Sequence, residues 1–249
     1  MRILLADKFP TSDLEALSGD GHECDLKPDL NGDTLPGAIG NAEILVVRST
    51  PVTRATVDAG PSLCLIIRAG AGTNSIDTQA ATEREIRVCN VPGRNAAAVA
   101  ELVIGLIIAI DRNIPDNVAD LRAGRWNKKR YSAARGLYGR SLGLVGLGAV
   151  GLAVLERARG FGFEMRVIEK LGRAAEVQQR LRELGVRTVP NLDDLIDQSD
   201  ILSFHLPAVP ETRGMVNSKF LEKLHPGTIL INTSRGDLVD EQALIRVLD

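Results

Sequence analysis

The chain has 249 residues, enough for one large or two small domains that bury their cores without disulfide staples. It is 44% hydrophobic and 25% charged, an ordinary globular balance. A net charge of −2, from 30 Lys and Arg against 32 Asp and Glu, gives no reason to expect nucleic acid or a membrane as partner.

The chain opens directly on an aliphatic run, residues 3–7, with no leader pattern before it. Further strand-like runs follow at 24–26, 44–48, 64–68 and 88–90, with helical patterns at 11–17 and 53–59 between them. Runs without polar alternation, spaced by helices, predict a parallel sheet covered on both faces. Cys24, Cys64 and Cys89 lie in or beside these runs. Three is an odd number and the spacing is not metal-binding, so buried, reduced thiols and a cytoplasmic setting are expected. No metal site is expected.

Pro92 and Gly93 punctuate the approach to a long helix from about Asn95 to Asp111, and Pro115 lies just past it. That helix is apolar on most sides, which predicts burial, as a domain connector or a subunit interface. Its longest apolar stretch is too short to span a bilayer. Next comes a basic segment, 122–140, with Arg122, Arg125, Lys128, Lys129, Arg130, Arg135, Arg140 and Trp126. It reads either as a solvated linker anchored by Trp126 or as a basic arm reaching an anionic substrate.

A second α/β pattern starts at Ser141. Strands are predicted at 142–145, 165–168, 187–189, 201–205 and 228–232, and helices at 149–159, 174–184, 192–196, 218–224 and 241–248. Gly146-Leu147-Gly148-Ala149-Val150-Gly151 forms a GxGxxG pattern between the first of these strands and the first helix. In that context Gly146 permits the tight turn, Gly148 lets backbone approach a pyrophosphate, and Gly151 packs helix on strand. The helix N-terminus offers free N–H groups and the positive dipole end. Glu169 lies 18 residues past Gly151, where an acid meets the adenosine ribose hydroxyls. A carboxylate there favours NAD over NADP, although Lys170 and Arg173 stand close by.

Several segments, taken together, resemble one family. They are Val47-Arg48-Ser49, Arg68-Ala69-Gly70-Ala71-Gly72, Asn90-Val91-Pro92-Gly93-Arg94-Asn95, the glycine loop, His205-Leu206-Pro207, Glu211-Thr212-Arg213-Gly214 and Asn232-Thr233-Ser234-Arg235-Gly236. In order and spacing they are similar to the D-isomer-specific 2-hydroxyacid dehydrogenases. Gly124-Arg125-Trp126-Asn127-Lys128-Lys129 narrows the likeness to the branch acting on 3-phospho-D-glycerate. The resemblance implies a flavodoxin-like α/β substrate domain over residues 1–94, and an NAD-binding Rossmann domain, a doubly wound parallel sheet, over 95–249. It places the active cleft between them. The implied reaction is hydride transfer between NAD and a small 2-hydroxy or 2-oxo acid, in a homo-oligomeric dimer or tetramer.

The same resemblance implies roles. Arg235 is the catalytic arginine, able to hold a carboxylate in bidentate fashion and polarise a neighbouring carbonyl. Gly70, Ala71 and Gly72 cradle the substrate carboxylate, with Arg48, Ser49 and Asn95 beside it; Asn95 could equally cap the long helix. Ala149 and Val150 present backbone to the pyrophosphate, while Leu206, Thr233 and Ser234 line the rest of the cofactor site. His205 is not expected to be catalytic, and His22 and His225 are expected to be surface or capping residues. The family also uses a glutamate–histidine pair beyond the arginine for proton transfer. Only 14 residues follow Arg235 here and no histidine is among them. The sequence therefore reads as truncated at its C-terminal side, with an incomplete sheet edge and doubtful activity on its own. The competing expectation is a non-catalytic dinucleotide sensor or corepressor-like interaction protein on the same fold.

Overall fold

Five short strands make the first sheet of the computed structural model, which describes residues 1–248. They are β1 (Arg2–Leu5), β2 (Glu23–Leu26), β3 (Ile44–Val47), β4 (Leu65–Arg68) and β5 (Arg87–Asn90). All pairings are parallel, in the order β2-β1-β3-β4-β5. Successive side chains of one strand enter opposite layers. Leu4, Leu45 and Ile66 join a core with Leu35, Ile39 and Val57, whereas Ile3, Leu5 and Ile44 pack on the other face with Leu14 and Leu17. Both faces are covered, so the strands carry no polar alternation.

The second sheet holds β6 (Ser141–Val145), β7 (Glu164–Ile168), β8 (Arg187–Val189), β9 (Ile201–Phe204) and β10 (Ile229–Asn232). It too is wholly parallel, in the order β10-β9-β6-β7-β8. Within each sheet the strand order reverses once, at β1/β3 and at β6/β9, and ligands in open α/β sheets bind outside the strand C-termini at such points. The first order is flavodoxin-like and the second is the Rossmann order, so the fold is the doubly wound α/β class expected. Two compact units result, Met1–Asn95 and a second beginning at Ala96.

In the second unit, the helix Ala96–Asp111 buries Ala100, Val103, Ile104 and Ile107 against Leu142, Leu144, Val154 and Leu155. The opposite layer packs Val145, Leu202 and Phe204 on Leu195, Ile196, Phe220 and Leu221. Asp111, at the helix end, accepts from Gly136 N and from Arg140 Nη1 at 3.1 Å, and both side chains of this ion pair are buried.

Several expectations need correction. The long helix is not buried all round: Leu102, Leu106 and Ile110 are exposed, one turn apart along a single stripe. Pro115 does not end structure; it sits in the first turn of a further helix, Ile114–Arg122, where its missing N–H costs nothing. Of the cysteines, Cys24 is half-buried and Cys64 and Cys89 are exposed, since Cys64 lies just outside β4 and Cys89 on the edge strand β5. Trp126 is 77% exposed and anchors nothing. Most of the basic segment is paired: Arg125 and Arg130 with Asp120, Arg135 with Asp200 at 2.5 Å, and Arg140 with Asp111. Lys128 and Lys129 stay exposed. Among the described residues no helix is long and apolar enough to cross a membrane, and no cluster of residues suits a metal ion.

Candidate functional site

Each unit presents polar and glycine residues where its strand order reverses. In the second unit the helix Ala149–Ala158 starts directly after β6, with Gly148 as its N-cap and no side chain capping it. The three glycines of the loop differ physically. Gly146 has φ +102°, and a Cβ there would stand 2.5 Å from the His205 carbonyl oxygen at the end of β9. A Cβ on Gly151 would stand 2.5 Å from the Gly146 carbonyl oxygen. A Cβ on Gly148 would meet nothing within 4 Å. Gly146 and Gly151 are thus required by the protein's own packing, whereas Gly148 opens on space. Ala149 is exposed and Val150 half-buried at the start of the helix. Leu206 packs partly on the core, and its side chain also limits the room beside Gly146.

His205 is largely buried, and its Nε2 lies 2.9 Å from Ser203 Oγ. Burial pushes its pKa down to about 4, so the ring is neutral near pH 7. His225 sits at the surface, 3.4 Å from Asp197. His22 is half-buried, and its Nδ1 is buried without a partner.

The loop after β10 is organised by Asn232. Its carboxamide oxygen accepts from Ser234 N at 3.1 Å and Ser234 Oγ at 2.7 Å, while its Nδ2 donates to the Arg235 carbonyl at 2.8 Å. Arg235 is half-buried, and its Nη1 donates to the Ser234 carbonyl. Thr233 Oγ1 is buried with no hydrogen-bond partner. Glu169 follows β7 and is exposed, with its backbone N–H on the Val189 carbonyl.

In the first unit, Arg48, Ser49, Arg68, Gly70, Arg94 and Asn95 line a cavity of 480 Å³ with Ala69 and Val91. Asp7, at the end of β1, shapes one wall. Its Oδ2 accepts from the backbone N–H groups of Arg48, Ser49 and Thr50 at 2.6, 3.0 and 3.1 Å. Burial pushes the Asp7 pKa up, but these three donors outweigh it and the carboxyl ends below its ordinary value. The Gly70 N–H already donates to the Arg68 carbonyl, so Gly70 contributes room rather than a spare donor. A Cβ at Gly70 would fall on the Arg68 guanidinium. Ala71 and Gly72 lie outside this cavity; the Ala71 carbonyl accepts from Asn90 Nδ2.

Residues 104–249 match the family described as D-isomer specific 2-hydroxyacid dehydrogenase, NAD binding domain. The chain belongs to that family. A D-3-phosphoglycerate dehydrogenase of Methanocaldococcus jannaschii is 35% identical over 250 residues, covering 100% of this chain and 46% of the relative. A hydroxypyruvate reductase of Thermotoga maritima is 40% identical over 216 residues, covering 86% of this chain and 68% of the relative. The NAD⁺-bound 3-phosphoglycerate dehydrogenase of Entamoeba histolytica superposes with a TM-score of 0.81 at 29% identity, covering 100% and 76% of the two chains. The chain spans about half the length of the phosphoglycerate dehydrogenases it matches. The family resemblance carried by the motifs is borne out.

The matched family domain binds NAD, and the second unit's residues fit that cofactor. The open space over Gly148, the uncapped helix start and the orphaned Thr233 hydroxyl are what a diphosphate and its ribose can satisfy. Sequence reasoning missed Asp7, Arg68 and Arg94. Arg68 and Asp7 each place a charge at the end of an apolar strand, a signal of the strand C-terminal edge, and Arg68 and Arg94 also stand within segments that carry the family resemblance.

Proposed function

We propose that this dehydrogenase moves hydride between NAD and a small D-2-hydroxy acid, with 3-phospho-D-glycerate as substrate. The nicotinamide ring supplies the hydride. Gly146, Gly148, Ala149, Val150 and Gly151 form the pyrophosphate cradle, Glu169 holds the adenosine ribose, and Leu206, Thr233 and Ser234 line the remainder. The substrate's anionic groups lie among Arg48, Ser49, Arg68, Gly70, Arg94 and Asn95, with Ala71 and Gly72 fixing the turn below. Arg235 provides the guanidinium that polarises the reacting carbonyl.

The observation that carries this reading is the contrast within the glycine loop: two glycines with no room for a Cβ flank one that opens on empty space. The substrate class is supported by charge. Arg48, Arg68 and Arg94 share one cavity, and none has a carboxylate partner among the described residues. Arg68 Nε is moreover buried without an acceptor. Three uncompensated guanidiniums favour a ligand with more than one negative charge.

The exposed row Leu102, Leu106 and Ile110 supports self-association as a homo-oligomer. The test is fluorescence titration with NADH. The native chain saturates, and Gly148→Asp shows no binding because a carboxylate occupies the diphosphate position. Equal affinity in both proteins removes the cofactor site from this loop.

A further inference from the structure

β1 and β3 run side by side in parallel register, Leu4 against Leu45 and Leu5 against Val46, and the Ala6 N–H closes on the Val46 carbonyl at 3.0 Å. Alternate residues of a parallel strand bond to the same neighbour, so the next ladder bond would run from the Arg48 N–H to the Ala6 carbonyl. Side chains take both places instead. Asp7 Oδ2 accepts from the Arg48 N–H at 2.6 Å, and Thr50 Oγ1 donates to the Ala6 carbonyl at 2.7 Å. The same carboxylate oxygen also accepts from the Ser49 and Thr50 N–H groups. The ladder between the two strands therefore ends at Ala6, where the strand order of this sheet reverses.

Three successive backbone N–H groups converging on one point form a nest that binds an anion. In this unit the anion belongs to the protein. Arg48 and Ser49 stand exposed just past the end of β3 and line the 480 Å³ cavity. Thr50 is buried, and its hydroxyl also reaches the Leu30 carbonyl at 3.3 Å. We propose that Asp7 is the positioning residue of this cavity: its carboxylate fills the nest of the Arg48, Ser49 and Thr50 amides and so presents the Arg48 guanidinium and the Ser49 hydroxyl to the anionic substrate. The proposal rests on the substrate reading above. Two consequences follow from a nest that is already full. An incoming carboxylate or phosphate is turned away from these amides and meets the side chains. Arg48, a long and flexible residue, also starts from a fixed backbone, which lowers the ordering cost of binding.

The test is calorimetric titration of the full chain with 3-phospho-D-glycerate, for the native protein, Asp7→Asn and Asp7→Gly. Asp7→Asn keeps the shape of the side chain but not its charge, and its amide nitrogen cannot accept; affinity should fall at least about tenfold. Asp7→Gly empties the nest, with a similar or larger loss. Acetate in the buffer then refills it and should recover at least about threefold of the lost affinity, whereas in the native chain acetate can only compete with the ligand. A residue that merely supports the fold gives no such rescue. Asp7→Asn binding within about threefold of the native chain overturns the proposal, as does a loss in Asp7→Gly that acetate leaves unchanged. Either result leaves the substrate reading standing. A native chain that does not bind 3-phospho-D-glycerate overturns both.

Discussion

Replacing each loop glycine by alanine separates a glycine kept for folding from one kept for a ligand. Gly146→Ala puts an L side chain at φ +102° and a Cβ 2.5 Å from a backbone oxygen. The left-handed conformation costs roughly 1–2 kcal/mol and the forced shift roughly 1–3 kcal/mol, so about 2–5 kcal/mol is lost. Gly151→Ala suffers the steric cost alone, partly offset by about 1 kcal/mol of helix propensity. Gly148 has φ −92° and free space around a Cβ. Alanine there gains about 0.4–1 kcal/mol by restricting the unfolded chain and loses a similar amount as a poorer N-cap, so its stability stays within about 1 kcal/mol. At about 2–4 °C per kcal/mol for a unit of this size, Gly146→Ala melts about 4–20 °C lower and Gly148→Ala within about 4 °C of the native chain. The order reverses in NADH titration, where Gly148→Ala binds at least about tenfold more weakly despite its intact fold. Thermal melts without cofactor and NADH titrations together decide the matter. A Gly148→Ala protein that melts as early as Gly146→Ala, or that keeps native NADH affinity, refutes the division of roles.

Other perturbations reach different parts of the chain. Asp111→Ala strands the buried Arg140 guanidinium and should cost about 3–5 kcal/mol in urea unfolding; Asp111→Asn, which can still accept from Gly136 N, should cost less, and equal losses would show that the ion pair is not the cause. His205 has a folded pKa of about 4 against an ordinary 6.5, so the unfolded chain binds more protons between those values and stability falls as pH drops through that window. The loss is of the order of 3 kcal/mol at most, and His205→Gln should flatten that part of the pH–stability curve; an unaltered slope counts against a buried neutral ring. Asp200 has its pKa lowered from 3.8 to about 2. Burial opposes that shift, and the Ser141 N–H and hydroxyl and then Arg135 outweigh it. Its stabilising contribution is complete above pH 3.8 and disappears as pH falls through about 2; Asp200→Asn should remove the acid-limb change, by calorimetry, without altering the neutral-pH slope.

What the sequence made legible were the features with a local cause. Ten strands followed from aliphatic runs such as Leu142-Gly143-Leu144-Val145, and the glycine loop from its place between a strand and a helix. Features set by tertiary packing were hidden. Pro115 reads as a stop because proline breaks helix interiors, yet at the first turn it starts one; Asn113, at φ +48°, makes the bend that permits this. The basic segment looks like an unpaired arm because only folding turns it back onto Asp111, Asp116 and Asp120 of the two helices before it and onto the distant Asp200. Asp7 is an ordinary acid until the chain from Arg48 to Thr50 folds over it. Arg68 and Arg94 become neighbours only when β4 and the loop after β5 line one cavity.

All three thiols, Cys24, Cys64 and Cys89, belong to the unit Met1–Asn95, and the other unit has none. Two are open to reagent and one is half covered, so alkylation in native buffer should register two fast modifications and one slow one. The slow rate times the transient opening of that unit alone, with the dinucleotide-binding half chemically silent throughout.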